Sequence, residues 1–317
     1  MKTGPAGSPR ELIEALLIGQ STGIEALRRE IAQVAKATIP VLIEGETGSG
    51  KELVAQALHM ASGRPGAFVA VNVLAVAPSM FEAALFGHVR GAFTGAHADH
   101  DGYLVEANRG TLFLDELAGL DVTLQAKLLR AIETRALRPV GAKGEVRSDF
   151  RVIAATNVPG ATLVERGDLR RDLVHRLAVC TLRVPSLRER AGDIPLLANR
   201  FLREVSDDPS RSFDEESLAA LRQHSWPGNV RELRNVVEAS ALLSDTPRIR
   251  GNTVLAQISR LAITPADSPT RAGKRGVHAI RETLRVLDEA GGDVDVAAER
   301  LGVHRATIYR RVHKGRR

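Results

Sequence analysis

Two short stretches hold the residue types that phosphate chemistry needs. The first, GETGSGKE at 45–52, follows the glycine-rich pattern in which backbone N–H groups cradle phosphates and a lysine reaches the outer ones. Gly45, Glu46, Thr47, Gly48, Ser49, Gly50, Lys51 and Glu52 are therefore the candidate nucleotide-binding residues, with Lys51 aimed at the β- and γ-phosphates. The last position breaks the general rule, because Glu52 stands where a magnesium-ligating hydroxyl is expected. Either the loop is no phosphate cradle, or it belongs to a subgroup that holds magnesium differently. The second stretch, TLFLDE at 111–116, is an apolar strand ending in two carboxylates. In that layout Asp115 organises magnesium, directly or through water, and Glu116 polarises an attacking water. A strand ending in a solvated Asp-Glu pair is the alternative; the glycine loop about 65 residues upstream argues against it. Phosphoryl transfer needs positioning and charge neutralisation more than covalent chemistry, so these parts suffice in principle for hydrolysis. Magnesium held by the nucleotide, waters and Asp115 would dispense with the missing hydroxyl.

Both stretches need a rigid frame. IPVLIE runs into the glycine loop and KELVAQALHMAS continues from it as a helix, the strand–loop–helix context of a phosphate site. Further along, strands AFVAVNV, GTLFLDEL, FRVIAATN and CTLRVPSL alternate with helices TLQAKLLRAIET and DLRRDLVHRLA. Short apolar strands between helices predict an α/β fold, a parallel sheet sandwiched by helices. Upstream, the run from Glu11 to Ala37 has helical spacing throughout. After residue 189 the strands stop, and DEESLAALRQHSW and GNVRELRNVVEASALLS read as amphipathic helices of a small α-helical subdomain.

The expected layout is a polar lead over 1–16, an α/β core over 17–189, the helical subdomain over 190–261, a linker over 262–276 and a helical domain over 277–317. The 317 residues carry a net charge of +6, all of it in the C-terminal piece: 12 basic and 6 acidic residues lie from Arg271 onward, and the rest is balanced. A basic end on a neutral body points to a polyanion, most simply nucleic acid, with a solvated tail as the bland alternative. Cys180 is the only cysteine, so no disulfide framework exists and a reducing cytoplasm fits. No run approaches the ~18 apolar residues of a membrane span, and no signal-peptide layout opens the chain.

DVDVAAERLGVHRATIYRRVHKGRR has the spacing of a helix-turn-helix, with Ala298 at the helix crossing, Gly302 at the turn and Ile308 packing inward. Its second helix would present Arg305, Ala306, Tyr309 and Arg310 to the major groove of double-stranded DNA. Arg311 and the basic residues after it would meet phosphates. An amphipathic basic helix pair is the other reading of the same pattern.

Two further motifs give these parts a common setting. LFGHVRGAFTGA at 85–96 contains the six-residue element GAFTGA, and WPGNVREL spans 226–233. With GETGSGKE and TLFLDE, they make the chain resemble the sigma-54-dependent transcriptional activators, the bacterial enhancer-binding AAA+ ATPases, from about Leu17 to Leu243 and again at the C-terminal helices. In that family the phosphate loop ends in Gly-Lys-Glu, so Glu52 marks a subgroup. The resemblance implies ATP and Mg2+ as cofactors, and a lid formed by the helical subdomain. It assigns Asn72 to holding back the catalytic glutamate, Asn157 to sensing the γ-phosphate and Arg231 to closing the lid. Arg170 and Arg176 would be presented to a neighbouring subunit, although an arginine such as Arg176 could equally form a surface ion pair.

Read by themselves, Gly91 and Gly95 permit a mobile tip carrying one exposed aromatic, Phe93, beside Thr94; an ordinary loop with a half-buried Phe is the alternative. The resemblance makes Gly91, Ala92, Phe93, Thr94, Gly95 and Ala96 the contact with sigma-54 RNA polymerase holoenzyme. It further implies a bacterial, cytoplasmic, nucleoid-associated protein that assembles from dimer to hexamer ring. A Fis-type helix-turn-helix would bind an inverted repeat in enhancer DNA. Arg109 stands before Gly110 where the family often has a second glycine, and DELAGL replaces its usual Asp-Glu-Ile-Gly-Glu. About 16 residues precede the core, too few for a sensory domain, so control by a regulatory protein acting in trans is the expectation; a trimmed chain would look the same. Two other readings fit parts of the chain: a DNA-binding regulator whose ATPase is uncoupled from sigma-54, and another kind of AAA+ remodeller.

Overall fold

Five short apolar segments pair into one parallel sheet because helices cover both of its faces, the condition under which a strand loses polar alternation. The computed structural model describes residues 8–261 and the separate positions Thr283, Val286, Ala290, Arg300 and Leu301. In chain order the elements begin with α1 (Pro9–Leu16), α2 (Thr22–Val34), β1 (Val41–Glu44), α3 (Lys51–Ser62), β2 (Phe68–Asn72), α4 (Pro78–Phe86), α5 (Tyr103–Glu106) and β3 (Thr111–Asp115). They continue with α6 (Val122–Thr134), β4 (Ala136–Leu137), β5 (Val146–Arg147), β6 (Arg151–Thr156), α7 (Gly160–Arg166), α8 (Arg171–Leu177) and β7 (Cys180–Arg183). Then come α9 (Ile194–Val205), β8 (Ser212–Phe213), α10 (Glu215–Gln223), α11 (Asn229–Leu242), β9 (Arg248–Ile249) and α12 (Gly251–Leu261).

The sheet order is β2-β3-β6-β1-β7, with every pairing parallel. β1 lies between β6 and β7, so the loop leaving its C-terminal end opens where ligands bind in such sheets. Alternate strand residues serve two apolar layers. Leu42, Leu112, Leu114 and Val152 pack with Leu124 and Leu128 of α6 and Leu173 of α8. Val41, Ile43, Phe113 and Ile153 pack with Ile24 and Leu27 of α2 and with Val54 and Leu58 of α3.

The chain divides into two compact units, Met1–Ile258 and Ser259–Arg317. In the first, α9, α10 and α11 gather around Trp226, which is fully buried and donates its indole N–H to the Leu221 carbonyl at 2.8 Å. In the second, Thr283 and Val286 are buried.

Three expectations need correcting. The helical run from Glu11 to Ala37 is broken into α1 and α2. Asp193 takes the N–H groups of Gln20 and Ser21 at 2.7 and 3.0 Å and the Ser21 hydroxyl at 2.7 Å, which holds the break open. Strands do not stop at residue 189, because β8 and β9 pair beyond it. The antiparallel pair β4–β5 was equally unforeseen. Two-residue strands carry no periodicity to read.

Arg151 anchors the sheet to α2. Its side chain is fully buried, and its guanidinium donates to the carbonyls of Val34, Ala35 and Ile39 at 3.0, 2.6 and 3.2 Å. Two of those carbonyls close the C-terminal end of α2, where a cation is favoured. Burial pushes the guanidinium down to about 10, so it stays charged at neutral pH. Replacing Arg151 by Met strands three carbonyls and should cost about 3 kcal/mol. A thermal melt of the nucleotide-free protein should fall by roughly 5–10 °C; an unchanged melt would exclude this anchoring role.

Candidate functional site

The loop between β1 and α3 has the form of an anion cradle. Gly48 and Gly50 adopt φ of +76° and +107°, and Gly50 begins α3 with no side-chain cap, leaving the first N–H groups of the helix without a side-chain partner. Ser49 is buried and its hydroxyl has no partner. Lys51, only 6% exposed, turns its ammonium onto the carbonyls of Gly45 and Glu46 at 2.9 and 3.3 Å. Burial pushes the ammonium below the ordinary lysine value; Asp115 and Glu116 act against that shift and Arg231 adds to it. The end of β3 and the start of α11 therefore both act electrostatically on Lys51. An orphaned hydroxyl, uncapped amides and a buried cation make a site that fits a polyphosphate.

The helical subdomain is fastened to this loop. The Gly48 carbonyl accepts the N–H groups of Val230 and Arg231 at 3.0 and 3.3 Å. A Cβ built on Gly48 would lie 2.3 Å from the Gly228 carbonyl oxygen, so this position has no room for any other residue. Asn229, fully buried with φ of +54°, donates to Glu46 Oε2 and to the Thr47 carbonyl, both at 3.1 Å. Its amide oxygen accepts the Leu187 N–H at 2.8 Å. Glu46 is also paired with Arg188, whose Nη1 lies 2.8 Å from Oε2. That hydrogen bond holds the Glu46 carboxyl below its ordinary value; burial opposes it and Asn229 assists.

Glu52 does not point a carboxylate into the cradle. It is exposed on the first turn of α3 and accepts a hydrogen bond from Gln56 at 3.3 Å. Asp115 and Glu116 end β3 as expected, and the Glu116 N–H donates to Asp115 Oδ1 at 3.0 Å. Glu116 holds φ of +55°, a left-handed backbone uncommon outside glycine and concentrated at functional sites. Asn72 sits in register with Asp115 on the neighbouring strand, but its amide oxygen caps the Leu74 N–H at 2.9 Å and does not engage Glu116. No cluster of three metal-binding side chains exists among the described residues.

Asn157 lines a cleft of about 220 Å³ with Glu44, Gly45, Glu46, Arg183 and Arg188. Arg170 and Arg176 are exposed and are not drawn into the loop. Arg170 forms a two-point ion pair with Asp172, at 3.0 and 2.7 Å, while Arg176 has no ion pair among the described residues. The positions read as DNA contacts, Arg305, Ala306, Tyr309, Arg310 and Arg311, lie outside the described residues.

The GAFTGA segment is a tight loop closed by the Gly91 N–H on the Ala96 carbonyl at 2.8 Å. Gly91 and Gly95 take φ of +80° and +104°. Phe93 is half-buried and not exposed, because its ring packs on His88 with centroids 5.0 Å apart. Ala96 is buried as well, so Gly91, Thr94 and Gly95 form the exposed part of the loop. The loop is braced from below: the Val89 N–H donates to the Val140 carbonyl at 3.1 Å, and the Val140 N–H to the Gly87 carbonyl at 2.9 Å.

Several residues here escape sequence reading. Leu17, Ile18, Leu53 and Val230 line a narrow apolar slot of about 70 Å³ with Ser49 and Gly50. Nothing in an apolar residue type announces such a place. Asn229 was readable only as part of WPGNVREL, where a Gly-Asn pair signals a turn and not a clamp.

Residues 17–183 match the sigma-54 interaction domain family, 188–268 the AAA+ ATPase lid domain and 280–317 the PucR C-terminal helix-turn-helix domain. The last match supports the helix-turn-helix class, under a subtype other than the Fis-type pair that the resemblance implied. The chain is 40% identical over 308 residues to the formate hydrogenlyase transcriptional activator of Salmonella typhimurium, covering 94% of this chain and 44% of that protein. It thus spans less than half of that relative's length. To the transcriptional regulatory protein ZraR of the same species it is 39% identical, covering 94% of this chain and 68% of that one. The crystal structure of NtrX from Brucella abortus in complex with ADP superposes with a TM-score of 0.71 at 32% identity, over 96% of this chain and 71% of NtrX.

The clamp at Asn229 is open to direct test. Asn229→Ala removes three hydrogen bonds and places alanine at a left-handed backbone, which should cost roughly 3 kcal/mol. It should also shrink the rise in melting temperature that ADP gives the parent; an undiminished rise would show that the clamp does not shape the loop. The depressed Glu46 carboxyl stabilises the fold above the ordinary value of 4.5, and that contribution is lost as pH falls through its lower folded value. Melting temperatures below about pH 4.5 should therefore drop more for the parent than for Glu46→Gln.

Proposed function

The chain belongs to the sigma-54-dependent transcriptional activators, AAA+ proteins with a lid and a helix-turn-helix, and from that premise we propose that it hydrolyses ATP to remodel sigma-54 RNA polymerase from the closed to the open promoter complex. The observation that carries this reading is the glycine loop, with its uncapped α3 amides, the unpartnered Ser49 hydroxyl and buried Lys51, tied to the lid through the N–H groups of Val230 and Arg231, in a chain whose GAFTGA element is unaltered.

In this reading the phosphates of ATP take the uncapped N–H groups at the start of α3, and Lys51 leaves the Gly45 and Glu46 carbonyls to meet the outer phosphates. The adenine ring enters the apolar slot beside Ser49 and Gly50. Asp115 would hold the Mg2+ that accompanies ATP, which would supply charge neutralisation for the transferred group. Glu116 polarises the attacking water. Asn72 would have to release the Leu74 N–H to restrain Glu116, and Asn157 reports the γ-phosphate from the neighbouring cleft. Arg231 follows the lid, which is already hydrogen-bonded to Gly48.

Hydrolysis requires a second subunit, because Arg170 and Arg176 stand exposed and away from their own loop. A ring, hexameric when active, brings them to the neighbour's phosphates, where an arginine supplied in trans is worth ~10³–10⁵ in rate. Arg170 must first exchange Asp172 for phosphate. Thr94 leads the contact with sigma-54, and Phe93 joins it on leaving His88. Residues 305–311 bind enhancer DNA.

The deciding measurement is open-complex formation by purified protein with sigma-54 holoenzyme on a sigma-54 promoter, with and without ATP. Opening should require ATP and be lost in Glu116→Gln and Thr94→Ala, with Thr94→Ala still hydrolysing ATP. Hydrolysis by the parent without opening would replace this reading with a DNA-binding regulator whose ATPase is uncoupled from the polymerase.

A further inference from the structure

One fully buried polar side chain lies outside the nucleotide loop and has no part in the reading above. Gln125 occupies a core position of α6 beside Leu124 and Leu128, with no exposed surface. Leucine would fill such a position without the cost of burying an amide, so the amide is informative through what it holds. Its Nε2 donates to the Leu120 carbonyl at 2.8 Å and to the Asp168 carbonyl at 2.9 Å, and its Oε1 accepts the Arg170 N–H at 2.8 Å.

These partners belong to two functional segments. Leu120 closes the turn that begins at Glu116: the Gly119 N–H donates to the Glu116 carbonyl at 2.9 Å, and the Leu120 N–H to the Leu117 carbonyl at 3.1 Å. Arg170 is the N-cap residue of α8, and Asp168 lies two residues before it. A single buried amide therefore pins the segment carrying Glu116 to the backbone of Arg170. Asp172 then fixes the guanidinium of that arginine from its own helix.

We propose that Gln125 is the positioning residue for Arg170, holding the arginine that a subunit offers its neighbour in fixed register with that subunit's own Glu116. The proposal rests on the reading that Arg170 acts across a subunit interface. Gln125 touches no substrate, so its loss should spare nucleotide binding in its own subunit and reduce turnover through the misplaced arginine. A displacement near 1 Å at such a group can cost about 10²-fold in rate.

The test mixes full-length variants pairwise and measures ATP hydrolysis. Arg170→Ala mixed with Glu116→Gln is the reference pair, one variant supplying the carboxylate and the other the arginine. No recovery in that pair overturns the trans-arginine reading itself. With recovery there, Gln125→Met should bind a fluorescent ATP analogue within about twofold of the parent and turn over at roughly a tenth of the rate or less. It should regain activity with Glu116→Gln, which brings an intact arginine, and none with Arg170→Ala. Gln125→Glu, which loses both donated bonds, replaces the methionine variant if circular dichroism shows that the latter is unfolded. Parental turnover, recovery with Arg170→Ala, or a folded variant recovering with neither partner overturns the proposal.

Discussion

The nucleotide loop keeps its shape because the lid is hydrogen-bonded to it through a side chain that sees no solvent. Asn229 reaches Glu46, Thr47 and Leu187 at once, and it does so only from a left-handed backbone, which asparagine tolerates better than most residues. That conformation also sets where α11 begins, and the two amides that follow it meet the Gly48 carbonyl. Arg231 and Val230 are carried to the loop by the same turn. The apolar slot and the electrostatic surroundings of Lys51 both follow from this one junction, in which Trp226 adds a second left-handed residue. Of the five non-glycine residues with a left-handed backbone among the described residues, two lie where core and lid meet and a third is Glu116.

Much of this was legible in the chain. The strands β1, β3 and β6 announced themselves as apolar runs because the sheet is covered on both faces, and their C-terminal ends delivered Lys51, Asp115 and Glu116 to one side. The helical lid was legible from its periodicity. What escaped was set by contacts between distant residues. Glu52 looked like a ligand because of where it stands in a motif, whereas its carboxylate finds Gln56 one helical turn along. Phe93 read as a free aromatic because glycines surround it, and only the fold brings His88 beneath its ring. Arg109 illustrates the reverse: the replacement of a frequent glycine was visible in sequence, and the structure gives its meaning, a left-handed φ of +58° that glycine would adopt without strain.

The GAFTGA loop combines freedom at its tip with restraint at its base. Thr94 is exposed at the tip, while Gly87 and Val89 are bridged to Val140 across the sequence. Gly141 brings the connection between β4 and β5 against Ala92, with no space for a side chain between them. Any movement of the loop root must therefore be shared with that connection, although about 50 residues of chain separate the two.

The sheet order also determines the life of this chain during synthesis. β1 pairs only with β6 and β7, so Val41, Leu42 and Ile43 have no strand partner until residues beyond 151 have been made. At ~5–20 residues per second the intervening stretch of roughly 110 residues takes on the order of 5–20 s to translate. Throughout that interval the strand that will carry the phosphate loop is an unpaired apolar edge on a nascent chain. Packing of Val41 and Ile43 on α2 and α3 can shield one face in that interval, but the hydrogen-bonding edges stay open until the fourth strand of the sheet leaves the ribosome.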